Sequence, residues 1–425
     1  MAVYEKMSAA ELVALEKELS KEYESFKAKN LKLDMSRGKP GADQLDITNE
    51  LLNSVNEQSG YCDETGFDCR NYGVLDGIPE CKRLFAEILE VEPKNIIVGG
   101  NSSLNMMFDY IAQCMTHGAG AEPWCKQGKI KFLCPAPGYD RHFGILEYFG
   151  IEMITVPMKE DGPDMDIIEE NVKDPSVKGM FCVPKYSNPE GKTFSDEVVK
   201  RIAALKPAAK DFRIMWDNAY CVHHISENHD ELLNIFPLCR ENNNSDMVIE
   251  FTSTSKITFP GAGVAALAAS DNNIAMIKKR MAMQTIGYDK LNQLRHARYF
   301  KDVNGVNEYM KRHAAILAPK FQAVLDCLEN NLGQTGVAKW TKPNGGYFIS
   351  LDVMDGCAKE VAALCSQAGV NLTPAGATYP YGNDPRDRNI RIAPSYPPVD
   401  ELKLAAELLC LCVKLVSVRK LIEEN

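Results

Sequence analysis

Residues 247–256 of the chain read Met247-Val248-Ile249-Glu250-Phe251-Thr252-Ser253-Thr254-Ser255-Lys256, and this stretch decides the fold class. Its first half is a short apolar run with β-branched and aromatic side chains, which is typical of a buried strand. Its second half is a row of hydroxyls that ends in a lysine. Ligands of open parallel sheets bind beyond the carboxyl ends of the strands, so the pattern predicts an α/β protein with a site at Lys256.

Further apolar runs of similar length alternate with helical patterns between about residues 95 and 270. Helices between buried strands indicate βαβ units, so we predict a large domain with a mainly parallel, seven-stranded sheet. The predicted strands cover residues 95–98, 131–134, 152–156, 179–183, 212–216, 247–252 and 264–268.

The pattern differs on the amino-terminal side of this region and after residue 270. Residues 8–29 read as a charged amphipathic helix, in which Ser8 and Glu11 form a capping box. Residues 272–333 read as long helices, and we expect Pro319 to kink or break one of them.

The carboxyl-terminal part reads as a smaller α+β unit. Its predicted elements are a strand at 345–351, a helix near 356–368, a strand around 389–393 and a helix at 398–422. A chain of this length is expected to form more than one domain. We therefore predict a large domain at 50–300 and a small domain made from 1–49 and 301–425.

Composition limits the classes of function. The 425 residues carry a formal net charge of −10, which argues against non-specific binding of nucleic acid. No membrane span or secretory signal is visible, and the 14 Cys include no CxxC pair, so a cytoplasmic protein is favoured over a secreted disulfide scaffold. His223, His224 and His229 lie close in sequence, but without an HExxH motif or a cysteine pair they predict no metal site.

Polar residues at two neighbouring strand ends indicate one kind of chemistry. Asp217 and Tyr220 follow the strand at 212–216, and Lys256 follows the strand at 247–252. A lysine can hold an aldehyde cofactor as a Schiff base, and a buried carboxylate can keep a pyridine nitrogen protonated. A helix N-cap for Asp217 and a solvated surface position for Lys256 are the alternatives.

Three more segments follow predicted strands. Gly99-Gly100-Asn101-Ser102-Ser103 opens a helix, where it suits a phosphate or serves as an ordinary N-cap. Tyr139, after a Pro-Gly turn, can stack on a planar ring or simply pack beside the turn. Asn188, in Ser187-Asn188-Pro189-Glu190-Gly191, can bond a phenolic oxygen, although Asn-Pro commonly marks a turn.

Arg391 lies between two isoleucines on a short predicted strand, so it should be partly buried and needs an anion. A planar guanidinium binds a carboxylate through two hydrogen bonds, which predicts a substrate carboxylate here. An internal ion pair is the alternative.

The order of these features resembles the fold-type I pyridoxal-phosphate aminotransferases of the aspartate aminotransferase superfamily. The resemblance covers residues 30–420. Ser36-Arg37-Gly38-Lys39-Pro40 and residues 252–256 are similar to the group whose catalytic domain also occurs in MocR-type regulators, here without a DNA-binding domain. The resemblance implies fold type I, pyridoxal 5'-phosphate as the cofactor, and a homodimer with the active site at its interface.

The same resemblance implies a role for each residue around the cofactor ring. Lys256 would be the Schiff-base lysine that carries the proton, and Asp217 would pair with the pyridinium nitrogen. Tyr139 would stack on the ring, while Tyr220 and Asn188 would bond its phenolic oxygen.

For the phosphate and the substrate, the implied residues come from several segments. Arg391 would bind the α-carboxylate, and Gly38 would line the entrance. The phosphate ligands would be Asn101, Ser102, Ser103, Ser253 and Ser255, together with Tyr72 of the neighbouring subunit. The family usually has a phosphate-binding arginine shortly after the lysine, but residues 257–264 contain none, so other donors must replace it.

The implied activity is a ping-pong transamination, with aspartate as the expected donor and 2-oxoglutarate as the acceptor. Candidates for binding a second carboxylate are Arg141, Arg37, Lys39 and Lys290, although a surface turn is an equal alternative for Arg141. An aromatic or kynurenine-type aminotransferase, a C–S lyase, a decarboxylase and a MocR-like ligand sensor share the ring-binding residues, and these alternatives stay open.

Overall fold

The computed structural model describes residues 3–425. The helices are α1 (Ala9–Lys27), α2 (Ala42–Asp46), α3 (Pro79–Leu89), α4 (Ser103–His117), α5 (Asp140–Tyr148), α6 (Met165–Asn171), α7 (Asp196–Ala203), α8 (Ile235–Glu241), α9 (Asp271–Gln284), α10 (Lys290–Phe300), α11 (Val303–Leu332), α12 (Ala358–Gln367) and α13 (Val399–Glu424). The strands are β1 (Leu33–Asp34), β2 (Ile96–Val98), β3 (Lys131–Ala136), β4 (Glu152–Pro157), β5 (Val177–Cys182), β6 (Arg213–Asp217), β7 (Val248–Ser253), β8 (Ala265–Ala269), β9 (Ala338–Trp340), β10 (Ile349–Val353), β11 (Val370–Asn371) and β12 (Asn389–Ile392). No helix in this range has the length and hydropathy needed to cross a bilayer.

The large sheet confirms the predicted α/β class and its seven strands. Its order is β2-β8-β7-β6-β5-β3-β4, in which β8 runs antiparallel to both neighbours and the other pairs are parallel. Every residue of the central strands β5, β6 and β7 is buried. Burial on both faces explains why these strands read as apolar runs rather than as alternating patterns.

A smaller α+β unit also forms. It contains the antiparallel sheet β12-β10-β9, with α1, α11 and α12 packed against α13. The predicted capping box is present at α1, where Ser8 accepts from the backbone N–H of Glu11 and the Glu11 carboxylate accepts from the backbone of Ser8.

The strand predicted at 345–351 begins later, at Ile349. Gly346 has a φ of +80°, which an extended strand does not use. A Cβ at Gly345 would lie only 2.3 Å from the Tyr186 ring. The two glycines therefore carry the backbone closely over Tyr186 before the strand starts.

Of the two outcomes expected at Pro319, the break is wrong, because α11 runs unbroken from Val303 to Leu332 with this proline inside it, and the kink stays a prediction. Its first part packs in a cluster that includes Ile257 and Val306, and its second part, including Leu317 and Phe321, packs in the core around α13. Burial on both sides of the proline offsets the cost of the missing hydrogen bond, which is about 3 kcal/mol.

Candidate active site

The predicted residues of the strand ends come together because β5, β6 and β7 are parallel neighbours. Asp217 is the last residue of β6, and Ser253 is the last residue of β7. A short 3-10 turn, Thr254–Lys256, follows β7 directly. Since parallel strands end at one edge of a sheet, these segments place an acid and an amine in one crevice.

Lys256 is the amine of this crevice. Its Nζ lies 5.0 Å from the centre of the Tyr220 ring, and its carbonyl oxygen accepts a hydrogen bond from the Tyr347 hydroxyl at 3.2 Å. Burial lowers the pKa of Lys256, the positive charge of Arg391 lowers it further, and Asp217 acts in the opposite direction. The site therefore favours an amine that can accept a proton.

Asp217 is buried, and only one of its two carboxylate oxygens is hydrogen-bonded. His142 donates from Nε2 to Asp217 Oδ2 at 2.9 Å, and the His142 ring stacks on Phe181 with centroids 4.4 Å apart. Asp217 Oδ1 is buried with no hydrogen-bond partner among the described residues. A carboxylate oxygen in this state calls for a donor from a bound molecule.

Tyrosines and an asparagine surround the acid. Tyr139 meets His142 edge to face, with ring centroids 5.0 Å apart. Burial raises the pKa of Tyr139 to about 12 and that of Tyr220 well above its ordinary value, so both keep their hydroxyl protons. Asn188 is buried beside them, and its side-chain oxygen accepts from Arg391.

Arg391 is held on β12 by three neighbours. Its Nη1 donates to Asp140 at 2.9 Å and to Asn188 at 3.2 Å, and its Nε donates to Thr373 at 3.2 Å. Nη2 makes no hydrogen bond within the described chain. The ion pair considered as an alternative is therefore present. The N–H groups of Nη2 are still available to bind a second anion.

The ring of Phe348 lies between Gly38 and Arg391. The Arg391 guanidinium lies 5.0 Å from the centre of the Phe348 ring. A Cβ at Gly38 would lie 2.4 Å from Phe348 Cζ. Only glycine leaves this ring in place under the arginine.

Hydroxyls and a helix N-terminus meet where the phosphate was predicted. The α4 helix starts at Ser103, and the N-cap residue Ser102 does not use its side chain as a cap. Ser255 donates to the Asn101 carbonyl at 3.1 Å, and the Ser253 and Ser255 hydroxyls lie 3.0 Å apart. Backbone donors and nearby hydroxyls at such a terminus suit a phosphate.

The candidates for the second carboxylate lie outside this cluster or at its edge. Arg37, Lys39 and Arg141 are exposed, and Lys39 Nζ lies 3.7 Å from the centre of the Tyr396 ring. Lys290 is buried, with its Nζ donating to the Tyr288 carbonyl at 3.3 Å. Tyr72 is 79% exposed, and its segment contacts the loop at Gly287.

Sequence reasoning missed His296 and His313 beside the lysine turn, and it considered His223 only as a possible metal ligand. His296 accepts at Nε2 from the Thr258 hydroxyl at 2.8 Å, because its Nδ1 donates to the Asn292 carbonyl at 2.8 Å. His313 accepts from Gln44, which also donates to Tyr347, and His223 packs edge to face on Tyr347 and Tyr220. These contacts span many residues of sequence, so no local pattern signals them.

Burial lowers the pKa of each of these three histidines, to about 4 for His296 and His313 and well below its ordinary value for His223. All three are therefore neutral at physiological pH. No group of three or more His, Cys, Asp or Glu side chains within residues 3–425 is arranged to hold a metal ion.

The chain is similar in sequence and in fold to known proteins. The family model for aspartate aminotransferase matches residues 7–425. The aspartate aminotransferase of Corynebacterium glutamicum is 48% identical over 402 residues, which are 94% of this chain and 93% of that protein. A crystal structure of an aspartate transaminase from the same organism has a TM-score of 0.96 at 45% identity and covers 99% of both chains. LysN, an alpha-aminoadipate aminotransferase from Thermus thermophilus, shares the fold, with a TM-score of 0.74 at 20% identity over 91% of this chain and 93% of that one.

Proposed function

The chain belongs to the aspartate aminotransferase family, and from this premise we propose that it moves the amino group of L-aspartate to 2-oxoglutarate in a ping-pong reaction. Membership of the family makes it an aminotransferase with pyridoxal 5'-phosphate as its cofactor. The full-length similarity to the aspartate aminotransferase of C. glutamicum supports aspartate as the donor. The narrower similarity to MocR-type regulators stays a prediction.

One observation carries the assignment of the residues. Asp217 presents a buried, unpartnered carboxylate oxygen in the crevice that also contains the amine of Lys256. A protonated pyridine nitrogen would satisfy that oxygen, and an aldehyde would meet the amine. When bound, pyridoxal phosphate supplies an electron-accepting ring that stabilises negative charge at the α-carbon of the amino acid.

We assign the cofactor-holding roles as follows. Asp217 accepts a hydrogen bond through Oδ1, while His142 fixes the carboxylate through Oδ2. The Tyr220 hydroxyl would donate a hydrogen bond to the phenolic oxygen, and Asn188 would bind the same oxygen. Tyr139 would stack on the ring. The phosphate would be held by Asn101, Ser102, Ser103, Ser253 and Ser255, in place of an arginine, which residues 257–264 lack.

Lys256 is the proton carrier in this proposal. Its Nζ removes the α-proton of the amino acid, and the lowered pKa keeps the amine available as a base at neutral pH. A general base of this kind accelerates proton transfer by about 10²–10⁴-fold. Tyr347 holds the backbone of Lys256, which limits the positions that Nζ can reach.

Arg391 binds the α-carboxylate of the substrate through its free Nη2, beside Gly38 and Phe348. Asp140 already pairs with Nη1, so the substrate carboxylate and the Asp140 carboxylate would share the positive charge of Arg391. For the side-chain carboxylate of aspartate, Arg141, Lys39 and Arg37 are the proposed partners, because each is a cation without a described carboxylate partner.

We propose a cytoplasmic homodimer with the active site at its interface. Tyr72, Met283 and Ile286 expose 79%, 86% and 61% of their surfaces, and Gly287, next to Ile286, lies against Gly73 and Val74, which follow Tyr72. Exposed apolar side chains that lie together mark an interaction surface. The domain bounds of 50–300, and of 1–49 with 301–425, are part of the same proposal.

Purified holoenzyme mixed with aspartate and 2-oxoglutarate tests the function. We expect oxaloacetate and glutamate in equal amounts, with parallel double-reciprocal plots from the ping-pong order. Pyruvate with ammonia would instead indicate elimination. Borohydride reduction followed by peptide mapping should place the cofactor on Lys256, and a modified lysine elsewhere would overturn the site.

A further inference from the structure

A second polar cavity lies on the opposite face of the large sheet from Asp217. Trp216 and Glu250 are paired across β6 and β7, one residue before the pair of Asp217 and Phe251. Because side chains alternate along a strand, Trp216 and Glu250 face away from the active site. The cavity has a volume of about 230 Å³, and none of the proposed cofactor-binding residues of the described chain lines it.

Two buried groups of opposite kind line this cavity without a charged partner. Lys185 is 6% exposed and makes no hydrogen bond or ion pair with any described residue. Glu250 is 5% exposed and accepts only from the Asn218 amide, at 2.8 Å. Buried charged groups normally pair with an opposite charge, but neither of these two is in an ion pair with a described residue. Glu90 and Glu231 also line the cavity and act on Lys185 without forming an ion pair with it.

Asn218 adds an independent observation. It is 7% exposed and lines the cavity, and its Oδ1 is buried with no hydrogen-bond partner among residues 3–425. An amide oxygen in this position requires a donor. Next to Glu250, it forms an acceptor pair that suits an ammonium group.

We propose that this cavity binds a free amino acid as a small zwitterion, with its carboxylate on Lys185 and its ammonium on Glu250 and Asn218 Oδ1. A zwitterion carries both missing charges in one molecule, and a cavity of this size suits a ligand smaller than a typical drug. Charge-assisted hydrogen bonds at both ends would provide the selectivity.

The pKa values of Glu250 and Lys185 agree with a site for a ligand that carries both charges. Burial raises the pKa of Glu250 to about 8 and lowers the pKa of Lys185. Each group is thus driven toward its neutral form when nothing opposes its charge. A bound zwitterion would stabilise both charged forms.

Isothermal titration of borohydride-reduced holoenzyme tests the site, because reduction blocks the amine of Lys256. The probes are glycine, acetate and methylammonium. We expect one glycine per chain, bound at least about tenfold more tightly than either single-charge probe, which corresponds to the loss of one charge-assisted interaction. Equal affinity for acetate or for methylammonium would show a simple ion site and overturn the proposal, as would no binding of glycine.

Two substitutions locate the site and need no change in the active site. Glu250→Gln should weaken glycine about tenfold and leave acetate unchanged, and Lys185→Met should weaken glycine and leave methylammonium unchanged. Lys173→Met is the matched control, because Lys173 is an exposed lysine paired with Glu170. Unchanged glycine affinity in either cavity variant would place the binding elsewhere, and melting curves check that the variants are folded.

Discussion

Asp217 depends on a neighbour that is 75 positions away in sequence. His142 donates to Oδ2 and is itself fixed by stacking on Phe181, so the free Oδ1 keeps a constant position. The hydrogen bond and the stacking together make His142 a positioning residue for the proposed pyridine contact.

Replacing this histidine tests its role. His142→Phe retains an aromatic ring on Phe181 but removes the hydrogen-bond donor to Asp217. We expect kcat to fall roughly 10- to 100-fold, which is typical when a residue that orients a binding-site residue is lost. The visible absorbance of the bound cofactor should also titrate at a changed pH. His117→Phe, at an exposed histidine, is the control. Wild-type kcat with an unchanged absorbance titration would show that His142 only fills space.

Gly38 provides a second prediction at the residue scale. Gly38→Ala would force Phe348 away from Arg391, so KM for aspartate should rise by about tenfold while the fold persists. Gly144→Ala is the control, because a Cβ there meets no atom within 4 Å, and it should be neutral or stabilising by roughly 0.5–1 kcal/mol. An unchanged KM in Gly38→Ala would separate Phe348 from carboxylate binding.

At the scale of elements, the turn that carries Lys256 is surrounded by neutral histidines from three places in the chain. His296 comes from α10, His313 from α11, and His223 follows β6. Buried imidazoles resist protonation, whereas histidines of the unfolded chain take up a proton near pH 6.5. Folding stability is therefore fully present above pH 6.5 and falls as the pH drops from about 6.5 toward 4.

Urea unfolding at two pH values measures this effect. His313→Gln removes one such group, so its loss of unfolding free energy between pH 7.5 and pH 5 should be about 2 kcal/mol smaller than that of the wild type. His117→Gln, at an exposed position, should show the wild-type loss. The same pH dependence in all three proteins would contradict the assignment of a neutral His313.

The elements that sequence predicts well are those with local causes. Each large-sheet strand contains a short run rich in apolar residues, and the α1 helix has its own capping box, so a short window contains the signal. The break expected at Pro319 failed because contacts from α13, which follow much later in the chain, decide the outcome.

The candidate site also contains residues that local sequence indicates and contacts that it does not. Lys256, Asp217 and Arg391 stand at strand ends or on a strand, where residue type and position already indicate chemistry. The contacts between Asp217 and His142, and between Gln44, His313 and Tyr347, join distant segments. Only the folded chain brings these side chains together, so their roles cannot be read from a linear pattern.

At the scale of the whole molecule, the proposed dimer predicts complementation between two inactive variants. Lys256→Ala lacks the amine, and Tyr72→Ala lacks the side chain that would reach the neighbouring site. Refolding an equal mixture should form half heterodimers, each with one intact site, and so restore about a quarter of wild-type activity per chain. The measurement is oxaloacetate formation before and after mixing.

Each variant refolded alone provides the control for that experiment. If the mixture is no more active than the sum of the separate variants, then Tyr72 acts within its own subunit or not at all. A single species at the mass of one chain in light scattering would remove the dimer from the proposal.

The unbroken α11 helix has a mechanical consequence. Its 30 residues span about 45 Å, with one end packed near Ile257, directly after the lysine turn, and the other in the core around α13. If this helix moves as one body, a tilt of about 10° at one end displaces the far end by about 8 Å. Small adjustments beside the reacting amine would thus be amplified into a swing of the carboxyl-terminal layer.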